Sequence, residues 1–195
     1  MKLLYTKRSP YARKIRVMAI EKKITLELVE EDLTNKSSRL LESNPLGKIP
    51  TLILDNGESL CDSPNIGEYL DSLNGQPVLI PRQGPERFRI LHLTAIADGL
   101  MDLAVAVYME KIRHPDNFNE TFIKAQEETI LRTFGFFEQH VKELEKLSLA
   151  PIAVASAIGY INFRLPHIGI QKYPKLSKWF EEFSKRPSLA ETKPG

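Results

Sequence analysis

One stretch, from Asn44 to Leu70, constrains the fold more than any other part of the chain. It reads NPLGKIPTLILDNGESLCDSPNIGEYL, in which a Gly-Lys-Ile-Pro turn precedes two short apolar runs and a Ser-Pro pair. The run Thr51–Leu54 ends in an Asp-Asn-Gly turn, the chemistry that joins two antiparallel strands. A second short strand is therefore expected over Ser59–Cys61, and the stretch predicts a β-hairpin.

The hairpin is followed by the start signal of a helix. Ser63 precedes Pro64, and a serine at the N-cap with a proline at the first helical position favours helix initiation. A helix N-terminus presents unpaired N–H groups and attracts negative charge. Asp62, Ser63 and the first turn of this helix are therefore expected to lie beside a carboxylate or a phosphate. An ordinary helix cap is the alternative explanation of the same residues.

The segment before this stretch predicts a strand, a helix and a second strand. Lys2–Thr6 is short and apolar, Ser9-Pro10 lies at a helix start, and apolar residues recur at helical spacing over Tyr11–Lys22. Ile24–Val29 alternates as a half-buried strand does, which implies a parallel pair with a right-handed crossover. One face of the helix is predicted to pack and the other to be solvated. The basic residues assigned to the solvated face are Arg13, Lys14, Arg16 and Lys23.

These elements predict two domains. Asp32–Ser43 is predicted to be a loop with one loosely held helix, so the order becomes β-α-β-α-β-β-α, the thioredoxin-like arrangement. A run rich in proline and glycine then marks a boundary. The predicted domains are residues 1–76, thioredoxin-like, and residues 86–195, all-helical, joined by a linker at 77–85.

Nothing beyond the linker is typical of a strand. Helices are predicted over Glu86–Arg113, Phe118–Leu147, Pro151–Phe163 and Tyr173–Lys185. The two long helices must pack against each other, because helix caps alone do not hold such lengths. The third helix is so apolar that it is expected to be buried on all sides. The predicted fold class is thus α/β plus all-α.

Composition excludes several functional classes. Cys61 is the only cysteine and the four histidines lie far apart, so neither an intrachain disulfide nor a bound metal is expected. No apolar run reaches the roughly 18 residues of a membrane span and no signal-peptide pattern is present, which predicts a cytoplasmic protein with no membrane partner. The net charge is only +2, but basic residues concentrate before Lys23 and favour an anionic ligand near the first helix. Nucleic acid is not expected, because no platform of aromatic residues accompanies these charges.

The Asn44–Leu70 stretch resembles the glutathione-binding half of glutathione transferases. The pattern of that family is a Pro-x-Gly-Lys-x-Pro loop with a cis proline, a hairpin, and an acidic residue and serine at a helix start. The segments SLAPIAVASAIGYINFRLP and YPKLSKWFEEFSKRPSLAETKPG resemble the end of bacterial members, especially small transferase-like proteins whose first helix begins Ser-Pro-Tyr. The resemblance covers nearly the whole chain and implies the glutathione transferase fold, a thioredoxin-like domain followed by an all-helical one.

Two positions depart from the family pattern. Asp62 stands where Glu or Gln is more usual, so its side chain is one methylene shorter than the Glu at that place. Pro151 stands where the family commonly has the Asp of a capping box that begins at Ser148. Because Pro151 has neither that carboxylate nor an N–H to give, the helix is expected to begin one or two residues later.

The resemblance also implies a glutathione site. The backbone of Ile49, beside a cis Pro50, would pair with the cysteinyl unit, and Asp62 and Ser63 would hold the γ-glutamyl amino and carboxylate groups. The glycyl carboxylate has two candidate partners, which could equally be solvated lysines. They are Lys36 and Lys48.

Ser9 is the favoured contact of the glutathione sulfur. Ser9-Pro10 occupies the place where serine-type and cysteine-type family members put this contact. One hydrogen bond to a charged acceptor contributes about 1.5–3 kcal/mol, which corresponds to a fall of roughly one to two units in the thiol pKa. Tyr5, Thr6 and Tyr11 are the rivals for this contact, and a helix cap alone is the other role open to Ser9.

Three further assignments concern the surroundings of the sulfur. Tyr11 and residues around Met101–Tyr108 are expected to line a second-substrate pocket between the domains. Asp98 is expected to face glutathione bound by a partner subunit. Cys61 is expected to be a bystander, since its acidic neighbour does not favour the thiolate.

The implied function is transfer of glutathione, as thiolate, to small hydrophobic electrophiles by a homodimer. A glutathione-dependent isomerase or reductase would use the same thiolate and stays open. The alternative from another class is a non-catalytic binding protein like the stringent starvation proteins, which keep the fold and contact RNA polymerase. The joint presence of Ser9, Ile49-Pro50 and Asp62-Ser63 argues against loss of the ligand.

Overall fold

The computed structural model describes residues 1–195, and its first part is a four-stranded sheet with three helices. The elements follow the predicted order and confirm the thioredoxin-like arrangement. They are β1 (Lys2–Tyr5), α1 (Pro10–Glu21), β2 (Glu27–Glu30), α2 (Ser38–Ser43), β3 (Thr51–Ile53), β4 (Ser59–Cys61) and α3 (Ser63–Leu73).

The sheet has the strand order β2-β1-β3-β4. β1 is parallel to β2, as the crossover predicted, and antiparallel to β3, which forms the predicted hairpin with β4. Leu3 lies opposite Leu52, and Leu52 lies opposite Leu60, so one apolar row crosses three strands. The strand predicted over Ile24–Val29 is shorter and later in the structure, where β2 covers Glu27–Glu30 at the edge of the sheet, and Leu28 is 45% exposed instead of half-buried.

The second part is entirely helical. Its elements are α4 (Pro85–Arg113), α5 (Glu120–Gln139), a 3-10 helix (Val141–Leu144), α6 (Leu149–Arg164), a second 3-10 helix (Ile170–Lys172), α7 (Pro174–Phe183) and α8 (Pro187–Glu191). Helix α6 packs against α4 and α1, and most of its residues are fully buried. The predicted burial on all sides is confirmed up to Ile161 and is wrong in the last turn, where Asn162 and Phe163 are exposed.

Helix α5 is shorter than predicted. The apolar period continues to Leu147, yet the α-helix ends at Gln139 and a 3-10 turn follows. The His140 ring nitrogen Nδ1 lies 2.7 Å from the Phe136 carbonyl, and Trp179 Nε1 donates to the Leu144 carbonyl at 3.1 Å. Side chains thus satisfy these carbonyls, and the apolar residues of the 3-10 turn still reach the core.

The start of α6 also differs from the expectation. The helix begins at Leu149, directly after Ser148, although the Ser148 side chain makes no capping hydrogen bond. The Leu149 N–H donates instead to the Leu79 carbonyl at 3.0 Å. A carbonyl from the segment before α4 therefore satisfies the first amide of α6, and Pro151, which lacks an N–H, loses nothing there.

The prediction of a solvated basic face on α1 was wrong for most of its residues. Arg13 and Lys14 are buried and Arg16 is half-buried, while only Lys23 is exposed as predicted. The cause is packing, since α1 contacts α3, α4, α6 and α8 and keeps little free surface. Of the buried residues, Lys14 pairs with Asp98 on α4, and Arg13 donates to the Leu189 carbonyl at 3.1 Å.

Helix α4 is long and apolar enough to cross a membrane by length and composition. In the structure its apolar residues pack against α5 and α6. It thus occupies the place of a core helix of the second part.

Candidate functional site

A buried asparagine holds the loop that precedes Pro50. Asn44 Nδ2 donates to the Lys48 carbonyl at 2.9 Å and to Thr51 Oγ1 at 3.1 Å, and its Oδ1 accepts from the Leu46 N–H at 3.0 Å. The sequence analysis did not single out Asn44. Its only signal was the Asn-Pro pair, which is typical of turns.

The loop presents a free backbone at Ile49. The Ile49-Pro50 peptide bond is cis, as the resemblance implied. Neither the N–H nor the carbonyl of Ile49 forms a hydrogen bond within the chain. This residue can therefore pair with an extended peptide in the manner of an added strand.

Helix α3 begins one residue earlier than the sequence indicated. The Ile66 N–H donates to the Asp62 carbonyl at 3.0 Å, which makes Asp62 the N-cap and Ser63 the first helical residue. The Asp62 side chain is exposed and makes no capping bond. Its φ of 71° is uncommon for a residue other than glycine, and such backbone conformations cluster at binding sites.

The hydroxyl of Ser63 is buried without a partner. The residue is 1% exposed and its Oγ forms no hydrogen bond. An unpaired buried hydroxyl costs about 1–3 kcal/mol. An oxyanion at the start of α3 would accept a hydrogen bond from it and from the first-turn amides.

Ser9 caps α1 and keeps its proton available. Its Oγ accepts from the Ala12 N–H at 3.2 Å, and its own N–H donates to the Thr6 carbonyl at 3.2 Å. A hydroxyl that accepts through one lone pair can still donate its hydrogen. The two roles considered for Ser9, helix cap and sulfur contact, are therefore compatible.

The rivals of Ser9 are engaged or buried. Tyr11 donates its hydroxyl to Asp102, and burial, together with this bond, raises the pKa of Tyr11. Tyr5 is buried, with the Arg16 guanidinium 5.0 Å from its ring centre, and Thr6 is buried beside it. Ser9 is half-buried and thus the most available of these hydroxyls.

A buried ion pair lies beside these residues. Lys14 Nζ donates to both oxygens of Asp98, at 2.6 and 2.8 Å. Burial lowers the pKa of Lys14 and raises the pKa of Asp98, against the attraction between the two charges. Asp98 also lines a cavity of about 190 Å³ between α4 and the first turn of α3. The helical pattern of α1 predicted a solvated Lys14, so this pair was not expected.

The two candidate partners of a glycyl carboxylate are exposed and form no ion pair. Lys36 Nζ lies against Gly47, in the loop that carries Lys48 and Ile49. Gly47 has a φ of 55°, which explains the need for glycine there. Cys61 is half-buried at the end of β4 and stays a predicted bystander.

The predicted lining of a second-substrate pocket is partly corrected. Met101 and Val107 are fully buried in the core, whereas Asp102 is exposed and Tyr108 is half-buried. Around the last turn of α6, Tyr108 and Phe163 flank one guanidinium, that of Arg164, at 4.3 and 4.2 Å from their ring centres. No sequence pattern singled out this aromatic cluster.

The sequence matches two family descriptions. Residues 3–78 match the N-terminal domain of glutathione S-transferases, and residues 96–187 match their C-terminal domain. The first match ends within the predicted linker at 77–85 and the second begins after it, so the limits of the linker stay a prediction.

Individual relatives agree over the full length. The uncharacterized GST-like protein YibF of Escherichia coli K12 is 35% identical over 100% of this chain and 98% of its own. A crystal structure of a glutathione transferase family member from Pseudomonas fluorescens Pf-5 with bound glutathione has a TM-score of 0.93 at 38% identity, covering 100% and 98% of the two chains. A second structure from that organism, with bound S-(propanoic acid)-glutathione, gives 0.90 at 38% identity, covering 100% and 99%. The chain described here therefore belongs to the glutathione S-transferase family.

Proposed function

We propose that the protein binds glutathione, ionises its thiol and transfers it to small hydrophobic electrophiles. The observation that carries the proposal is the pair of serines at two helix starts, each with an unused hydroxyl hydrogen. Ser63 Oγ is buried without any partner, and Ser9 Oγ uses only a lone pair. Both hydroxyls would donate to an anionic ligand that reaches from α3 to α1.

Each part of glutathione has a counterpart in this site. The γ-glutamyl carboxylate would accept from Ser63 and the amides of α3, while Asp62 would hold the amino group. The cysteinyl unit would pair with the free N–H and carbonyl of Ile49 beside Pro50. The glycyl carboxylate would lie toward Lys36 and Lys48, and the related Pseudomonas protein binds glutathione as well.

The chemistry requires thiolate at neutral pH. A thiol with a pKa of about 8.5 is only a few per cent ionised there. A hydrogen bond from Ser9 to the ionised sulfur contributes about 1.5–3 kcal/mol, and the N-terminus of α1 adds about 0.3–1 kcal/mol. Together these terms lower the thiol pKa by roughly one to three units, because one unit corresponds to about 1.36 kcal/mol. The thiolate then attacks carbon without a general base.

Replacing Ser9 tests this mechanism. Ser9→Ala is expected to lower conjugation of a nitro-activated aryl chloride at pH 6.5 by about tenfold or more, with glutathione affinity within a few-fold. The midpoint of the pH–rate profile should rise by about one to two units, since the thiol loses its donor. Rates, pH profiles and binding calorimetry provide the three readouts.

The matched control is Asn119→Ala, which removes a comparable N-cap from α5, where Asn119 Oδ1 accepts from the Phe122 N–H at 2.9 Å. It should lower stability by about 1 kcal/mol without changing the rate. An unshifted pH profile in Ser9→Ala would refute the sulfur contact. Retention on immobilised glutathione without turnover would support the non-catalytic alternative, and turnover of disulfides or isomerisable substrates instead would support the reductase or isomerase.

A homodimer in the cytoplasm is part of the proposal. Phe88 and Leu46 are 71% and 64% exposed, and they supply apolar surface at the start of α4 and in the loop before β3. Asp98 would then approach glutathione bound by the partner while it holds Lys14 in its own chain. Sedimentation velocity tests the assembly, and a monomer at micromolar concentration would contradict it.

A further inference from the structure

The last turn of α6 carries a cation with no carboxylate partner. Arg164 forms no ion pair in the structure. Its Nε is buried without a hydrogen bond, whereas Nη1 and Nη2, also without partners, are not buried. The two terminal nitrogens are therefore free to bind an acceptor that comes from outside the chain.

Two aromatic rings fix the position of this guanidinium. The Arg164 carbon Cζ lies 4.3 Å from the Tyr108 ring centre and 4.2 Å from that of Phe163. A guanidinium held between rings is pre-organised for planar, bidentate recognition of a carboxylate. The Arg164 side chain is thus already ordered in the free protein, so recognition of a carboxylate loses less conformational entropy.

The cluster is continuous with the site that contains Ser9. Tyr160 lies one turn before Arg164 on α6, and burial raises its pKa to about 12 against the opposing charge of Arg164. Tyr160 in turn contributes to the raised pKa of Tyr11, which is two residues from Ser9. The geometry agrees, because Tyr11 bonds Asp102 on α4, and Tyr108, whose ring lies under the Arg164 guanidinium, is six residues further along the same helix, a rise of about 9 Å.

The acids in this region are already engaged. Asp98 accepts from Lys14, and Asp102 accepts from the Tyr11 hydroxyl. Neither contacts Arg164, so the cation keeps its full attraction for an incoming anion. A guanidinium that packs on two aromatic rings and keeps its terminal nitrogens open fits a ligand that is apolar in its body and acidic at one end.

We infer that Arg164 binds a carboxylate carried by the electrophile, so that the protein prefers acidic electrophiles to neutral ones of the same shape. This inference rests on the proposed function, since it names the substrate class of that site. Arg164 is a specificity-determining residue in this account, and Ser9 keeps its role toward the sulfur.

A pair of aryl chlorides tests the preference. The probes are 4-chloro-3-nitrobenzoate and 4-chloro-3-nitrobenzamide, which differ in charge and hardly in shape. With either, a C–S bond forms at the chlorinated carbon, the C–Cl bond breaks, chloride leaves with the electron pair and the thiol proton passes to solvent. Because the amide group activates the ring more than the carboxylate does, each kcat/KM is divided by the rate constant of the uncatalysed reaction with glutathione. In the wild type this normalised value is expected to be about tenfold to a hundredfold higher for the acid than for the amide, as one charge-assisted bidentate contact gives.

Variants separate charge from structure. Arg164→Met should bring the normalised acid-to-amide ratio close to one while leaving the amide rate within a few-fold. Arg164→Lys should keep part of the preference, since it retains the charge without the planar fork. Arg132→Met is the matched control, because Arg132 is exposed on α5 and bonds only Thr129 Oγ1 at 3.1 Å. It should leave the ratio unchanged.

A binding measurement distinguishes failure of this inference from failure of the proposed function. Calorimetry with glutathione itself and with the S-aryl conjugates of the acid and the amide requires no turnover. Tighter binding of the acid conjugate, lost in Arg164→Met, supports the inference. Equal binding of the two conjugates by a wild type that binds glutathione overturns it alone, and absence of glutathione binding overturns the proposed function and this inference together.

Discussion

The two ends of α1 each bury a lysine against an aspartate, but they complete their hydrogen bonds to different degrees. At the C-terminal end, Lys22 Nζ donates to Asp71 at 2.8 Å and to the carbonyls of Asn74 and Pro77 at 3.0 and 2.9 Å. These three bonds use every hydrogen of the ammonium group. At the N-terminal end, Lys14 bonds only the two oxygens of Asp98.

The partner of Lys22 is satisfied as well. The two oxygens of Asp71 accept from the N–H groups of Leu79 and Ile80, both at 3.0 Å. Nearby, Glu21 accepts from Arg186 at 2.8 Å and from the Ser188 hydroxyl at 2.5 Å. The C-terminal end of α1 thus fastens the segment between the domains and the last helix of the chain.

The opposite end leaves polar groups open. Ser9 has a free hydrogen, the backbone of Ile49 has no partner, and Ser63 Oγ is buried and unpaired. A buried polar group without a partner is costly in a folded protein unless something outside the chain completes it. The end of α1 with complete networks therefore holds the fold, and the end with open groups is the one that the proposed ligand would complete.

Removing the carboxylate of Asp71 should give the largest effect. Asp71→Ala leaves Lys22 buried without its counter-charge and two amides without acceptors, so the free energy of unfolding should fall by about 3–5 kcal/mol. Urea unfolding curves with a common slope measure the difference. Asp55→Ala is the control, because Asp55 is 86% exposed, pairs only with the N-terminal amine and should cost about 0–1 kcal/mol. A loss of stability below 1 kcal/mol in Asp71→Ala would contradict the structural role assigned to the Lys22–Asp71 network.

Two buried serines sharpen the contrast between the ends. Ser63→Ala should lower glutathione affinity by about tenfold to a hundredfold, since a bond to a charged carboxylate is lost, without lowering stability. Ser188→Ala removes the bond to Glu21 and should lower the free energy of unfolding by about 1.5–3 kcal/mol with glutathione affinity unchanged. Calorimetry should show weaker glutathione binding only in Ser63→Ala, and urea unfolding should show lower stability only in Ser188→Ala. Equal behaviour of the two serines would contradict the distinction between complete and incomplete networks.

Local patterns predicted the order of elements but not the neighbours of α1. The hairpin, the helix starts at Ser9 and near Ser63, and the apolar α6 all follow from turn chemistry, capping and periodicity. The burial of Lys14 could not be predicted this way, because its partner Asp98 belongs to another domain and a charged residue is usually exposed. On α1, tertiary packing buries residues that the helical period predicted to be solvated. At the end of α5, side-chain hydrogen bonds to carbonyls end the α-helix before the apolar period ends.

The candidate site was predictable where it uses backbone and turns. The loop around Ile49-Pro50 and the start of α3 are contiguous in sequence, and their order carries the resemblance. The role inferred for Arg164 was not predictable, because it depends on the Tyr108 ring contributed by α4 and on the absence of a carboxylate partner. A guanidinium without a carboxylate partner can be recognised only in the folded structure.

The smallest expected effect concerns the two exposed lysines. Lys36→Met and Lys48→Met should each lower glutathione affinity by about two- to fivefold, since an exposed ion pair contributes about 0.2–1 kcal/mol. The loss of affinity should shrink toward zero in 1 M salt, where the Debye length is about 3 Å and exposed charges are screened. The loss of affinity in Ser63→Ala should persist in salt, because that hydrogen bond is buried. Calorimetry at low and high salt measures both, with Lys124→Met, an exposed lysine on α5, as control. A tenfold loss of affinity that persists in 1 M salt would contradict this expectation. It would mean that the lysine–carboxylate contact is desolvated, and that the ligand site includes a buried contact near the loop before β3 in addition to the unpaired groups.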